Sequence, residues 1–453
     1  MSLGRQQARQ ESFWVARQEM PKSPGNPFYE KLNALLRKAG FDAFVEELCA
    51  PFYAKKLGRP SIPPGRYFRM LLLGYFEGID SERGICWRCE DSLSVREFVG
   101  LEPTDSAPEH SSMTRIRQRL PLETHHAVFE HLHKLLAKHK LFSGKFLGVD
   151  SSTMEANASL KAIVRRDTGE NYQEMLLRLA QESGMETPTK AQLIAFDKKR
   201  KGKTLSNADW ASTTDEDARI AKMKDGRTHM AYKSEHVVDL ASGAIVSVSV
   251  HHADRCDTKT IEATLEQAQS QLEALPGSDA PSAEQPAEVI ADKGYHSREV
   301  LKALPTHFRS RISEPERQGI LRWHGDIEAR DAVYRNRARL DSDKGKALMR
   351  ARAERVERSF AHCLDRGGMR RVWLRGDENI EKRYIIHVAG FNLGILMRAL
   401  FGVGTPKGWA EKKACGLVLA HFEGGKSCIL LIIGGVLGDR AHALLIALIA
   451  RTL

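Results

Sequence analysis

The sequence has no uninterrupted apolar run of the ~20 residues that a membrane-crossing helix requires. Its longest apolar stretch, CILLIIGGVLG from Cys428 to Gly438, is cut short by Asp439 and Arg440, so no membrane span is expected. Cysteine is sparse: seven residues, odd in number and scattered, with no signal peptide ahead of them. That pattern excludes a disulfide framework and sets the expectation of a reducing cytoplasm. Cys86 and Cys89 form a lone CxxC without the second pair that a structural zinc site needs, and read as helix filler. A phosphate loop is also missing, because GGKS at 424–427 has Leu419 where the first glycine would stand.

What the chain does have is positive charge. Its 453 residues carry 69 Lys and Arg against 58 Asp and Glu, a net +11. Residues 309–375 alone hold 18 basic and 10 acidic side chains, so +8 of that excess lies in one stretch. Such a concentration favours a polyanionic partner, nucleic acid above all.

Periodicity divides the chain. Residues 27 to about 140 read as helices, with KLNALLRKAG ending on a C-cap glycine and YFRMLLLGYFEG following the turn SIPPG. SSMTRIRQRL sets Arg115 and Arg119 one turn apart on a helix suited either to DNA or to solvent. From Lys145 the pattern is strand, hairpin, helix, strand, helix, strand, helix, which predicts an α/β fold with a mixed sheet flanked by helices. A polar insert at about 155–226, with KKRKGK at 198–203, interrupts it. The expected units are an all-α N-terminal domain over 1–140, an α/β domain over 141–405 and an apolar tail over 406–453.

Two of the strands end on acids. Phe146-Leu147-Gly148-Val149 runs into Asp150, and Val289-Ile290-Ala291 runs into Asp292. A carboxylate at the tip of a buried strand is costly unless something rewards its charge. If the strands are neighbours, a divalent cation between the two acids removes their repulsion, and all-oxygen ligands suit Mg2+ or Mn2+. A third acid is expected from the basic helix ERVERSFAHCL. There Glu357 lies about 100° from Val356, at the edge of the stripe Val356, Phe360 and Cys363, whereas Glu354 lies about 160° away, toward solvent. Three carboxylates around two metal ions are a device for in-line attack at phosphorus.

The ordered set GVDSSTMEANAS, DGRTHMAYKSEHVVDLASGAIVSVSVHHAD, VIADKGYHS and ERVERSFAHCLDRGGMRRVWLRG resembles the DDE transposases of bacterial insertion sequences. The resemblance implies an RNase H-like catalytic core behind a helical N-terminal domain, with Asp150, Asp292 and Glu357 as the catalytic, metal-binding acids. It also implies two Mg2+ or Mn2+ ions and double-stranded DNA as partner, both terminal inverted repeats and target, with a homodimer handling two ends. Relatives carry Arg four before the glutamate and Lys seven after; Ala353 and Leu364 stand there instead. Were Glu354 the third acid, Arg350 would take the first of those places. Lys293, Arg350, Arg352, Arg358, Arg370 and Arg371, with Arg115 and Arg119, are the candidate DNA contacts. The competing classes are a transposase-derived DNA-binding protein that no longer cuts, and a metal-dependent nuclease without strand transfer.

His251 and His252 read as strand-end polar residues rather than metal ligands. Tyr295 reads either as part of a core-packed turn or as a DNA neighbour. Trp210 either stacks on an unpaired base or anchors the insert.

Overall fold

The computed structural model describes residues 2–5, 26–56, 58, 60–102, 104–201, 203, 205–277, 280–316 and 321–414. The apolar run, GGKS, Cys415 and Cys428 lie outside them.

The first part of the chain is helical: α1 (Pro27–Lys38), α2 (Phe41–Cys49), α3 (Pro64–Glu77), α4 (Glu82–Asp91), α5 (Leu93–Val99), α6 (His110–Arg119) and α7 (Leu122–Lys138). Pro64 opens α3 at its first turn, and Gly78, in the left-handed region at φ 66°, closes it, as proline and glycine do by their backbone preferences. Cys86 and Cys89 are buried inside α4, and burial pushes both thiols up to about 12, which suits filler and not a redox pair.

The sheet begins with β1 (Phe146–Glu155). The insert follows: β2 (Ile163–Arg165), α8 (Tyr172–Glu182), α9 (Lys190–Lys199) and β3 (Trp210–Ser212). Trp210 is buried against Tyr172, which makes it the anchor of the insert and removes it from base stacking. Then come β4 (Arg219–Lys222), β5 (Thr228–Asp239), β6 (Ile245–His252), α10 (Asp257–Glu273), β7 (Ala287–Ala291), α11 (Arg298–Ala303), β8 (Phe308–Ile312), α12 (Ile327–Asp341), α13 (Asp343–Phe360), α14 (Asp377–Phe401) and α15 (Pro406–Ala414). The six strands run β4-β5-β1-β7-β8, with β6 also on β5. β5 is antiparallel to β1, β4 and β6, whereas β1, β7 and β8 are parallel, giving the mixed α/β sheet expected.

Side chains alternate across that sheet. Asp150 and its partner His236 face α13 and α14; Ser151 and Glu235 face α10. His236 binds Ser359 and Tyr384 and stacks on Phe360, and burial holds it neutral, down at about 3. This contact fixes α13 over β1 and β5. Gly148 permits the approach, since a Cβ there would lie 2.6 Å from Leu240 and 2.9 Å from Val356. The stretch Asp377–Glu411 has the length and hydropathy of a membrane helix, but 67% of its most apolar window is buried in the protein. α14 packs on α3, α7 and β6, so one apolar core runs across residue 140.

Candidate active site

The ladder between β1 and β7 pairs Phe146 with Glu288, Leu147 with Val289 and Gly148 with Ile290. Two residues further along the same parallel register come Asp150 and Asp292; Asp292 lies one residue past the end of β7, whereas Asp150 does not end its strand as expected but sits inside β1, which runs on to Glu155 because β5 continues to pair with it. Neighbouring strands are about 4.8 Å apart, so the two acids stand side by side at the carboxyl edge of the sheet. Their proximity registers in Asp150, whose carboxyl is pushed up to about 6, first by burial and further by the charge of Asp292.

Each acid is held by a backbone amide close to it in the chain. Asp292 Oδ1 accepts the Gly294 amide at 2.8 Å, in the short turn Lys293–Tyr295. Tyr295 anchors that turn in the core by donating to Glu235 at 2.5 Å, and Thr260 and Thr264 from α10 donate to the same buried carboxylate. The Gly-Tyr turn is therefore a packing device. Asp150 Oδ1 accepts the Ser151 amide at 2.8 Å, and Arg352 Nη2 lies 2.8 Å from Oδ2 as an ion pair without hydrogen-bond alignment.

A fourth acid joins them from the other face. Asp257, the first residue of α10, accepts Ser151 Oγ at 3.0 Å and Lys233 Nζ at 2.9 Å. A Cβ on Gly294 would lie 2.7 Å from Asp257 Oδ2 and 3.1 Å from Asp292 Oδ1, so both carboxylates crowd over a residue that must lack a side chain. In the sequence Asp257 looks like an ordinary first-turn acid. Only the packing of α10 brings it here.

Glu357 lies on α13, exposed, its carboxylate in no hydrogen bond or ion pair among the described residues. Arg355 reaches the other way, with Nη1 3.5 Å from where a Gly243 Cβ would be, at the β5–β6 turn beyond the start of β1. At 100° per residue, Glu357 projects about 160° from Arg355, on the opposite side of the helix. Glu354 is exposed and pairs with Arg358 at 2.7 Å.

The basic candidates divide by depth. Lys293, Arg350, Arg371 and Arg115 are exposed. Arg352 is buried, bound to Asp150 and to the Val149 carbonyl, where it reaches no DNA. Its place on the stripe Arg352, Val356, Ser359, Cys363 was a legible sign of that. Arg370 ties Asp365 to Ser152 and Thr153, and Arg119 lies over the Tyr53 ring. A groove of about 320 Å³ runs along Ser151, Ser152 and Thr153 and is walled by Lys222, Lys224 and Lys233. These lysines of the β4–β5 hairpin were not among the expected contacts.

The donors fit hard divalent cations. They are all oxygen, and burial with the neighbouring charge of Asp292 leaves the Asp150 carboxyl raised even beside Arg352, so a cation shared by the two acids would relieve both. Among the described residues, three potential ligands come within 4.8 Å of one another only at Asp217, His252 and Asp377. Asp150, Asp292 and Glu357 are not drawn together that tightly.

Residues 17–119 match the Transposase domain (DUF772) and residues 165–393, just over half of the chain, match the Transposase DDE domain. No curated protein and no solved structure matches. The DDE match contains Asp292 and Glu357 and begins after Asp150, in a chain whose helical part precedes a mixed sheet. On these matches the chain belongs to the insertion-sequence DDE transposase family.

Proposed function

We propose that the protein cuts the ends of an insertion sequence and joins the freed 3′-hydroxyl strands to target DNA, with Asp150, Asp292 and Glu357 as its catalytic acids. The observation that carries this reading is the adjacency of Asp150 and Asp292 on parallel strands. Asp292 and Asp150 would hold the first of two Mg2+ or Mn2+ ions and Glu357 would complete the second. Such ions activate the attacking oxygen and stabilise the leaving one. Asp257 steadies the edge through Ser151 and Lys233. Lys222 and Lys224 guide the strand along β1, and Lys293, Arg350 and Arg371 bind flanking phosphates. The helices over 1–140 would read terminal inverted repeats with Arg115 on their surface, and two copies would pair two ends in the cytoplasm.

One observation favours a second reading. Arg352 already neutralises part of Asp150, as it would in a descendant that binds DNA without cutting. Purified protein with Mn2+ and DNA carrying the element's end separates the two. Nicked and joined products support the transposase, hydrolysis without joining supports a nuclease, and binding without any product supports the non-cutting descendant.

A further inference from the structure

The side of α13 turned away from Glu357 borders a cavity of about 380 Å³. Arg355, Arg358 and His362 line it from α13 and the π-helical segment Ala361–Arg366 that continues it, and Arg398 lines it from α14. No aspartate or glutamate lines it. Among the described residues neither Arg355 nor Arg398 pairs with a carboxylate; Arg358 pairs only with exposed Glu354, a contact worth little in water. The concentration of charge is felt by His362, which is pushed down to about 4 by burial and by Arg366, Arg398 and Arg358. The floor is apolar, made by Tyr75, Phe391 and Ile395.

Three guanidinium groups around one cavity repel each other, and an anion relieves that repulsion. Guanidinium matches phosphate oxygens with paired N–H donors. The volume exceeds that of a phosphate and leaves room for an adjoining sugar against the apolar floor. A helix with its side chains is about 10–12 Å across, so a phosphate in this cavity is that far from the acid edge, too far to be the one cut.

We propose that the cavity of Arg355, Arg358, Arg398 and His362 binds backbone phosphates of a DNA segment that is not being cut, so that DNA passes on both sides of α13. This rests on the DNA-processing reading above, but its test needs no cutting. Binding of a labelled linear duplex is followed by fluorescence anisotropy in EDTA over roughly 50 to 200 mM salt. Replacing Arg355 and Arg398 together by Ala is expected to flatten the log Kd against log salt slope by about 2 and to weaken binding by about 10-fold or more at the lower salt. The lysine pair, Arg355→Lys with Arg398→Lys, is expected to restore the slope. Arg398→Glu alone, at an exposed position, keeps the test available should the double variant fold poorly. A wild-type slope in folded Arg398→Glu or in the alanine pair overturns the proposal, as does inorganic phosphate binding that depends on these arginines while the DNA slope does not. Asp292→Ala, measured alongside, keeps the slope; wild-type protein that yields no cut product with Mn2+ and end DNA, together with a flattened slope in the arginine variants, would sink the transposase reading and leave the cavity standing.

Discussion

The two sides of α13 carry opposite charge and treat it differently. Toward the carboxyl edge of the sheet, Asp150, Asp292 and Asp257 are each held by fixed partners: a neighbouring amide for the first two, Ser151 and Lys233 for the third, and Arg352 beside Asp150. On the far side, Arg355 and Arg398 are without acid partners among the described residues, and the walls between them supply none. A side whose geometry is set by internal bonds is prepared for chemistry, where small displacements are costly. A side with unmatched charge is prepared for a counter-ion arriving from outside. The contrast teaches that the basic excess of residues 309–375 is not one surface: part of it, Arg352 and Arg311, is buried as internal counter-charge, and part is left for a ligand.

The contrast is broken most severely at the acids. Asp292→Ala is expected to reduce DNA cutting by more than about 10³-fold while binding stays within about 2-fold, as read by gel assay and anisotropy. Glu357→Gln is expected to match it and Glu354→Gln to cut near the wild-type rate; the reverse order would move the third acid by one turn of the helix. A smaller loss, about 10- to 100-fold, is expected for Gly294→Ala, because the added methyl drives Asp257 and Asp292 apart without touching the basic surfaces. DNA affinity unchanged in that variant would sharpen the separation of the two sides.

Asp257→Asn is expected to lower stability by about 1–3 kcal/mol in urea, since Lys233, only 5% exposed, loses its counter-charge. The smallest effect has the opposite sign. Folding raises the carboxyl of Asp150 from its ordinary 3.8 to about 6, so the folded state holds the proton longer and ionisation costs stability between those values and above them. Asp150→Asn is therefore expected to stabilise the metal-free protein at pH 7.5 by about 1–2 kcal/mol and to make no difference near pH 3. Equal stability of the two at pH 7.5 would show that Arg352 fully compensates the charge.

The neighbourhood of Asp150 and Asp292 was legible because its residues break local rules. FLGVD and EVIAD are apolar runs that end on a charge, and a parallel pair of such runs has few other uses. Residues that obey local rules were invisible. Asp257 reads as a first-turn acid and Lys222 and Lys224 as hairpin polarity, and only α10 and the β4–β5 hairpin folding over β1 make them neighbours of Asp150. Arg352 and Arg370 were read as DNA contacts because composition reports charge without depth, although Arg352 stood on the buried stripe of its own helix. The arginine cavity needed α14, about forty residues further on in the chain, to close it.

The central claim is that Asp150 and Asp292 share a cation at the sheet edge, and its most direct test is Mn2+ binding by electron paramagnetic resonance in the presence of end DNA. Wild-type protein is expected to bind Mn2+, Asp292→Asn to lose that binding, and His252→Ala, at the separate group with Asp217 and Asp377, to keep it. Mn2+ retained in full by Asp292→Asn and lost by His252→Ala would contradict the account.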